Sequence, residues 1–186
     1  LTAGIAGHML INTGVTKLSM IDTGNASAVL ISKNSRSILL GCGGDMYSAS
    51  SIRNAATRYN AKRLEALILP RNSPAESGAL PYLTGDLMFK EVYAAQPGDV
   101  LAPLALNHDI HFDISAQVSP WPGTKITCLS TPTCCAAFAD IDSKQILFVF
   151  LPGSDIREIP PGWLQADMLF CRAQPPANLN LERFGL

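Results

Sequence analysis

The chain has 186 residues, 47% of them hydrophobic and 16% charged, with a formal net charge of -1 and a pI near 6.3. That length fits one domain with a substantial core, and the composition excludes a disordered chain. The near-neutral balance argues against a dedicated nucleic-acid module while leaving room for a local basic patch, and no run of 18 apolar residues is present to cross a bilayer.

The chain starts at Leu1 rather than Met and lacks the basic, apolar and small segments of a signal peptide, so it reads as a fragment of a longer protein. Its five cysteines, Cys42, Cys128, Cys134, Cys135 and Cys171, are odd in number and have no C-x-x-C spacing. A zinc ribbon is therefore not indicated, and vicinal Cys134-Cys135 reads as a pair of small core residues.

After a Gly/Ala-rich lead that contains His8, Leu18–Ile21 and Ala28–Ser32 read as strands. Asn34-Ser35 is a turn, and Ser37–Leu40 returns as the second arm of a hairpin. The run Gly41-Cys42-Gly43-Gly44-Asp45 must be a tight loop, because glycine reaches unusual backbone angles at low cost. Ser48–Asn60 reads as a helix capped by Ser48 or Ser50, with Ile52, Ala55, Ala56 and Tyr59 on one face. Leu64–Leu69 is a buried strand that stops at Pro70, followed by the polar loop Arg71-Asn72-Ser73-Pro74-Ala75-Glu76. A short helical segment near Glu76–Leu83 and a strand at Lys90–Tyr93 come next. The second half reads as strands at Ile110–Val118, Lys125–Leu129, Cys135–Ile141, Ile146–Leu151 and Met168–Cys171, separated by Pro/Gly/Asp turns. Strand-rich halves with interspersed helices predict a layered α/β sandwich.

The order of hairpin, Gly-rich loop, helix, strand and polar loop carries a resemblance. The stretch KLSMIDTGNASAVLISKNSRSILLGCGG, together with AKRLEALILPRNSPAESGAL and KEVY, resembles the opening of the metallo-β-lactamase fold. More narrowly, it is similar to the C-terminal domain of ComEC-type DNA-uptake (competence) proteins of bacteria. The match covers residues 15–93 well and the rest loosely. It implies a four-layer αββα sandwich with metals held by loops at one edge of the two sheets, and hydrolysis of phosphodiesters or other esters in active members.

The family's metal loop is His-x-His-x-Asp-His, whose imidazoles and carboxylate suit zinc-like cations. Those four positions fall here on Arg71, Ser73, Ala75 and Glu76. A guanidinium repels a metal, a neutral serine ligates poorly and alanine has no ligand atom. The acidic residue expected in the family's Ile-Asp-x-Gly turn is Gly41, and the second acidic residue of the first loop is Ser27. The bridging carboxylate position falls on Pro152-Gly153-Ser154, and the terminal His-His-Gly-Ser on Ala173-Gln174-Pro175-Pro176. What remains is architectural: Asp22, Gly24, Gly43, Gly44 and Gly78, with Asp22, Asp45 and Glu76 as the edge of a vestigial site.

The resemblance thus implies a pseudoenzyme that carries no metal or other cofactor. Its partner would be the remainder of a parent membrane protein, on the outer face of the bacterial cytoplasmic membrane. One alternative is a module contacting DNA weakly through Arg53, Arg58, Lys62, Arg63 and Arg71, five of the fourteen basic residues. Another is a residual metal-dependent phosphodiesterase using Asp22, Asp45 and Glu76 or a face made by Asp109, His111 and Asp113. Asp109, His111 and Asp113 would share one face of the Ile110–Val118 strand and could hold a cation there, although the solvent face of an amphipathic strand is the simpler reading. Neither a Gly-x-Ser-x-Gly elbow nor a phosphate-binding loop is present.

Overall fold

The computed structural model describes residues 14–24, 26, 28–115, 117–150 and 154–171. The expectations placed on His8, Ser27, Pro152-Gly153 and residues 173–176 lie outside the described residues. Two mixed sheets face each other. The first runs in the order β1 (Lys17–Met20), β2 (Val29–Lys33), β3 (Arg36–Leu40), β4 (Arg63–Leu69), β5 (Met88–Ala94) and β6 (Ile110–His111). The second runs in the order β10 (Met168–Cys171), β9 (Lys144–Val149), β8 (Cys135–Ile141) and β7 (Thr124–Ser130).

Strands β1, β2 and β3 form antiparallel hairpins, and the ladders from β3 to β6 are parallel. Parallel neighbours need a crossover. Helix α1 (Met46–Arg58) supplies the one between β3 and β4, while the short helices α2 (Pro74–Ser77) and α3 (Leu80–Leu83) supply the next. Helix α4 (Ala102–Ala105) lies between β5 and β6. The single helical segment expected near Glu76–Leu83 is therefore two separate turns of helix. The cap of α1 is also corrected. Asp45, not Ser48 or Ser50, accepts from the amides of Tyr47 and Ser48 at 2.9 and 3.1 Å.

The alternation of side chains along each strand sorts the core into layers. Val29, Ile31, Ile38, Leu40, Ala66 and Ile68 point from the first sheet toward Ile126, Cys128, Cys135, Ala137, Ile146 and Phe148 of the second. Their neighbours Leu30, Leu39, Leu67 and Leu69 point the other way, against Ile52 and Ala56 of α1 and Leu80 and Leu83 of α3. The outer face of the second sheet, Ala136, Leu147 and Val149, is covered by Ile159, Trp163 and Ala166. The αββα layering expected from sequence is the observed one, with that last cover built by 3-10 turns at Ile156–Glu158 and Trp163–Gln165 among the described residues.

Burial rather than charge holds these layers together. Each fully buried aliphatic side chain contributes about 1.5–3 kcal/mol. The five ion pairs between described residues have at least one half-exposed partner, where such pairs are worth about 0–1 kcal/mol each. All five cysteines are free thiols and four are buried. Burial raises the pKa of Cys42 and Cys128, which keeps both thiols protonated, and vicinal Cys134 and Cys135 are core residues as the sequence reading expected.

One expected element is absent. Strand β6 ends at His111, and Val118 makes only an isolated bridge to Ile126. Ile110–Val118 is thus not a strand. Ile114 is buried against the second sheet, but Phe112 is exposed, so the apolar alternation has no single surface to cover.

Candidate functional site

Strands β3 and β4 are parallel neighbours, so the loops leaving their C-terminal ends, 41–45 and 70–78, lie side by side. Backbone bonds fasten them together. The amide of Gly41 donates to Ile68 O, that of Cys42 to Glu76 O and that of Gly44 to Pro74 O, each at 2.8 Å, and Ala79 N donates back to Cys42 O at 2.9 Å. Glycine is required for this approach. A Cβ on Gly43 would overlap the Ala75 carbonyl, and one on Gly78 would overlap the carbonyls of Gly44 and Pro74. Gly41 and Gly44 have φ of 71° and 98°, where other residues are strained.

The side chains at this edge have been given local work. Glu76 is 1% exposed, and the Ser73 hydroxyl donates to its carboxylate. Arg71 reaches across to the second sheet and donates to Pro132 O at 3.5 Å. Its guanidinium and the Glu76 carboxylate both act on the Cys135 thiol. Burial raises that thiol most, Glu76 raises it further and Arg71 partly offsets them, leaving it pushed up to about 12. Ala75 contributes only its backbone to the glycine contact.

Asp22 and Asp45 line an open cleft of about 790 Å³ with Gly24, Gly44, Tyr47 and Ala75. Both carboxylates are occupied by nearby amides. Asp22 accepts from Gly24 N at 3.0 Å, and the amides of Ser48 and Tyr47 hold the Asp45 carboxyl below its ordinary value. The structure therefore brings Asp22 and Asp45 to one cleft, while the Glu76 side chain is buried with Ser73 rather than lining it.

The basic residues do not form one patch. Arg53 is paired with Asp86 at 2.6 Å and also bonds Tyr82 O and Ser50. Arg58, Lys62 and Arg63 are exposed together where α1 turns into β4. Arg71 lies beyond the other end of β4, about 23 Å of strand away.

Asp109, His111 and Asp113 are likewise not one face, because β6 stops at His111. His111 stacks on Tyr93 with centroids 4.9 Å apart, and Asp113 accepts from Ser115 at 2.6 Å. Burial and a 2.6 Å hydrogen bond to Glu91 push the Tyr93 phenol up to about 12, so it stays protonated.

The metals of this type of fold need several converging nitrogen and oxygen donors. Among the described residues no three His, Cys, Asp or Glu side chains converge. Arg71, Ser73, Ala75, Glu76 and Gly41 offer one carboxylate, already bonded by Ser73. Among the described residues the donor set does not fit a metal centre.

Two features escaped the sequence. Tyr47 stands 76% exposed on the cleft wall, at a helix position with no pattern to mark it. Phe148, Phe150 and Phe170 meet at a second, smaller cavity; the i, i+2 spacing of the first two places them on one face and was a usable signal.

No protein-family model matches the chain, and no curated protein is significantly similar in sequence. Solved structures are similar in shape. The metallo-β-lactamase fold protein YhfI from Bacillus subtilis superposes with a TM-score of 0.61 at 18% identity, over 83% of this chain and 69% of that one. A metallo-β-lactamase from Cronobacter sakazakii, a HARLDQ motif mutant, gives 0.59 at 16%, over 83% and 76%. The Zn²⁺-bound PqqB from Methylobacterium extorquens gives 0.54 at 18%, over 82% of this chain and 59% of that one. At such identities the likeness concerns the fold alone. The chain has the metallo-β-lactamase fold.

Proposed function

We propose that the chain is a catalytically inactive metallo-β-lactamase-fold domain of a ComEC-type DNA-uptake membrane protein, where it acts as a structural or interaction domain. The carrying observation is the donor set at the loop after β4. A guanidinium, a hydroxyl, a methyl and one buried, hydrogen-bonded carboxylate stand where a metal loop would be, and the backbone around them is intact. Retained loop geometry with substituted donors favours a scaffold over a hydrolase. The ComEC-type context rests on the sequence resemblance of residues 15–93, and with it the placement on the outer face of a bacterial cytoplasmic membrane. No helix among the described residues is long and apolar enough to cross a membrane. In this role a weak contact with DNA would fall to the exposed trio Arg58, Lys62 and Arg63.

Metal content tests the reading. After dialysis against Zn²⁺ and Mn²⁺ and removal of free ions, elemental analysis is expected to give well below one metal per chain. Hydrolysis of bis(p-nitrophenyl) phosphate by the same sample should not exceed the buffer rate. Stoichiometric metal with turnover would overturn the proposal.

A further inference from the structure

Strands β3, β4, β5, β7 and β9 all begin at the end of the sandwich that holds the turns Asn34-Ser35 and Asp142-Ser143, and this turn end collects basic residues. Arg58 closes α1, Lys62 precedes β4 and Arg63 opens it, while Lys125 is the second residue of β7 and Lys144 the first of β9. All five are exposed, and none has an ion-pair partner among the described residues. The acids of the same end are already engaged. Glu65 is shared by two cations, Arg36 and Lys90, and Asp86 is paired with Arg53. Lys33 and Thr16 hold Asp142, and the Gln145 amide holds Asp167. Asp140, opposite Lys125 in the ladder, is half-buried. The turn end is therefore left with a positive excess.

The opposite, loop end is acidic. Asp22, Asp45, Asp99, Asp155 and Glu158 stand there against Arg71 and an Arg157 that is paired with Asp155. About 23 Å of strand separates the two ends, nearly three Debye lengths of about 8 Å at physiological ionic strength. A surface meeting the turn end therefore feels its cations, although the chain as a whole carries a formal charge of -1. Apolar side chains stand beside these cations. Met88, directly opposite Arg63 in the ladder, is 61% exposed, and Val15 and Met168 at the same end are 52% and 43% exposed. No aromatic ring is exposed among the described residues of this end, so bases have nothing to stack on. Tyr59, at the end of α1, is taken up by Lys17 over its ring at 5.8 Å and by the Ser19 hydroxyl at 2.8 Å. Cations with flexible apolar tips between them suit phospholipid, whose surface offers phosphate outside and hydrocarbon just beneath.

We propose that the turn end docks on an anionic phospholipid surface. Arg58, Lys62, Arg63, Lys125 and Lys144 meet the headgroup phosphates, and Val15, Met88 and Met168 reach the boundary between headgroups and acyl chains. The acidic loop end, with its open cleft, then faces away from the bilayer. Such docking needs neither a metal site nor the parent protein proposed above.

The test is co-sedimentation of the whole chain with vesicles of equal parts phosphatidylcholine and phosphatidylglycerol, against phosphatidylcholine alone. Five cations predict half-saturation at roughly 0.2–1 mM accessible lipid on the mixed vesicles. Binding should be absent on phosphatidylcholine and should be lost as salt rises from about 0.1 M to about 0.5 M. Lys62→Gln and Lys144→Gln should each weaken binding about fivefold. Arg157→Gln makes the same change of charge at the loop end and should leave binding unchanged. Met88→Ser should weaken it about threefold or more through the lost apolar contact. All four positions are exposed, so the variants should keep the parent's urea midpoint. No binding that depends on phosphatidylglycerol, or an equal loss in Arg157→Gln, overturns the docking face. Indifference to Met88→Ser overturns the lipid assignment, and tighter retention of a short single-stranded oligonucleotide at the same salt would give the face to nucleic acid instead.

Discussion

At Gly43 two loops from neighbouring strands meet with no room for a methyl group, since a Cβ would overlap the Ala75 carbonyl. Because the obstacle is backbone, a side chain cannot rotate away to relieve it. Gly43→Ala is expected to cost about 1–3 kcal/mol, read as a lowered urea midpoint at unchanged slope. An unchanged midpoint would mean that the loops are not in contact. The need for a glycine loop was legible in the sequence, but its reason was not, because Ala75 is over thirty positions away. The cap of α1 illustrates a different failure. Asp45, Ser48 and Ser50 are all capping residues, and the first helical residues after Asp45 are Met46 and Tyr47, whose exposed apolar side chains mimic a strand or loop.

Among the elements, the two tight hairpins repeat one solution. Asn34-Ser35 between β2 and β3 has φ of 49° and 64°, and Asp142-Ser143 between β8 and β9 has φ of 52° and 65°. Both are primed turns that match the twist of their strands, and the second position of such a turn favours glycine. Ser35 holds a left-handed conformation that costs an L-residue roughly 1–2 kcal/mol. Ser35→Gly should therefore raise stability by about 0.5–1 kcal/mol once the greater freedom of glycine when unfolded is subtracted, measurable by urea unfolding. A loss would show that Ser35 makes compensating contacts. Both turns were legible because Asn, Asp and Ser tolerate or favour this backbone. The false strand at Ile110–Val118 had the right period but lacked a partner. Alternation predicts a strand only where another strand completes the ladder, and β5 offers just Val92 and Tyr93 to it.

For the molecule as a whole, several carboxylates are held below their ordinary values. Burial opposes the shift of Glu65, but its bonds to Arg36 and Lys90 on the flanking strands outweigh it. Lys33 and Thr16 lower Asp142, Arg157 brings Asp155 down to about 2, and Thr131 and Thr133 lower Glu158. A carboxylate lowered on folding contributes its stability above its unfolded value, and loses it as pH falls through the folded one. Stability should hold from neutral pH to the ordinary value of 4.5 and then decline toward pH 2. Urea midpoints across that range check this, and a flat profile would show that these contacts do not persist in solution. The layered architecture was legible from short apolar strands with helices interspersed, and β2, β3 and β4 read as nearly continuous apolar runs because they are buried on both faces. The phenylalanine cavity was not, because it is made where two sheets, distant in sequence, fail to close on each other.

That failure has a counterpart at the far end of the sandwich. There Lys33, beside the turn of the first sheet, and Thr16 both donate to Asp142 in the turn of the second, the hydroxyl at 2.6 Å. Asp142 therefore ties the two sheets through a charge and a hydroxyl at the end where they would otherwise be held by apolar packing alone.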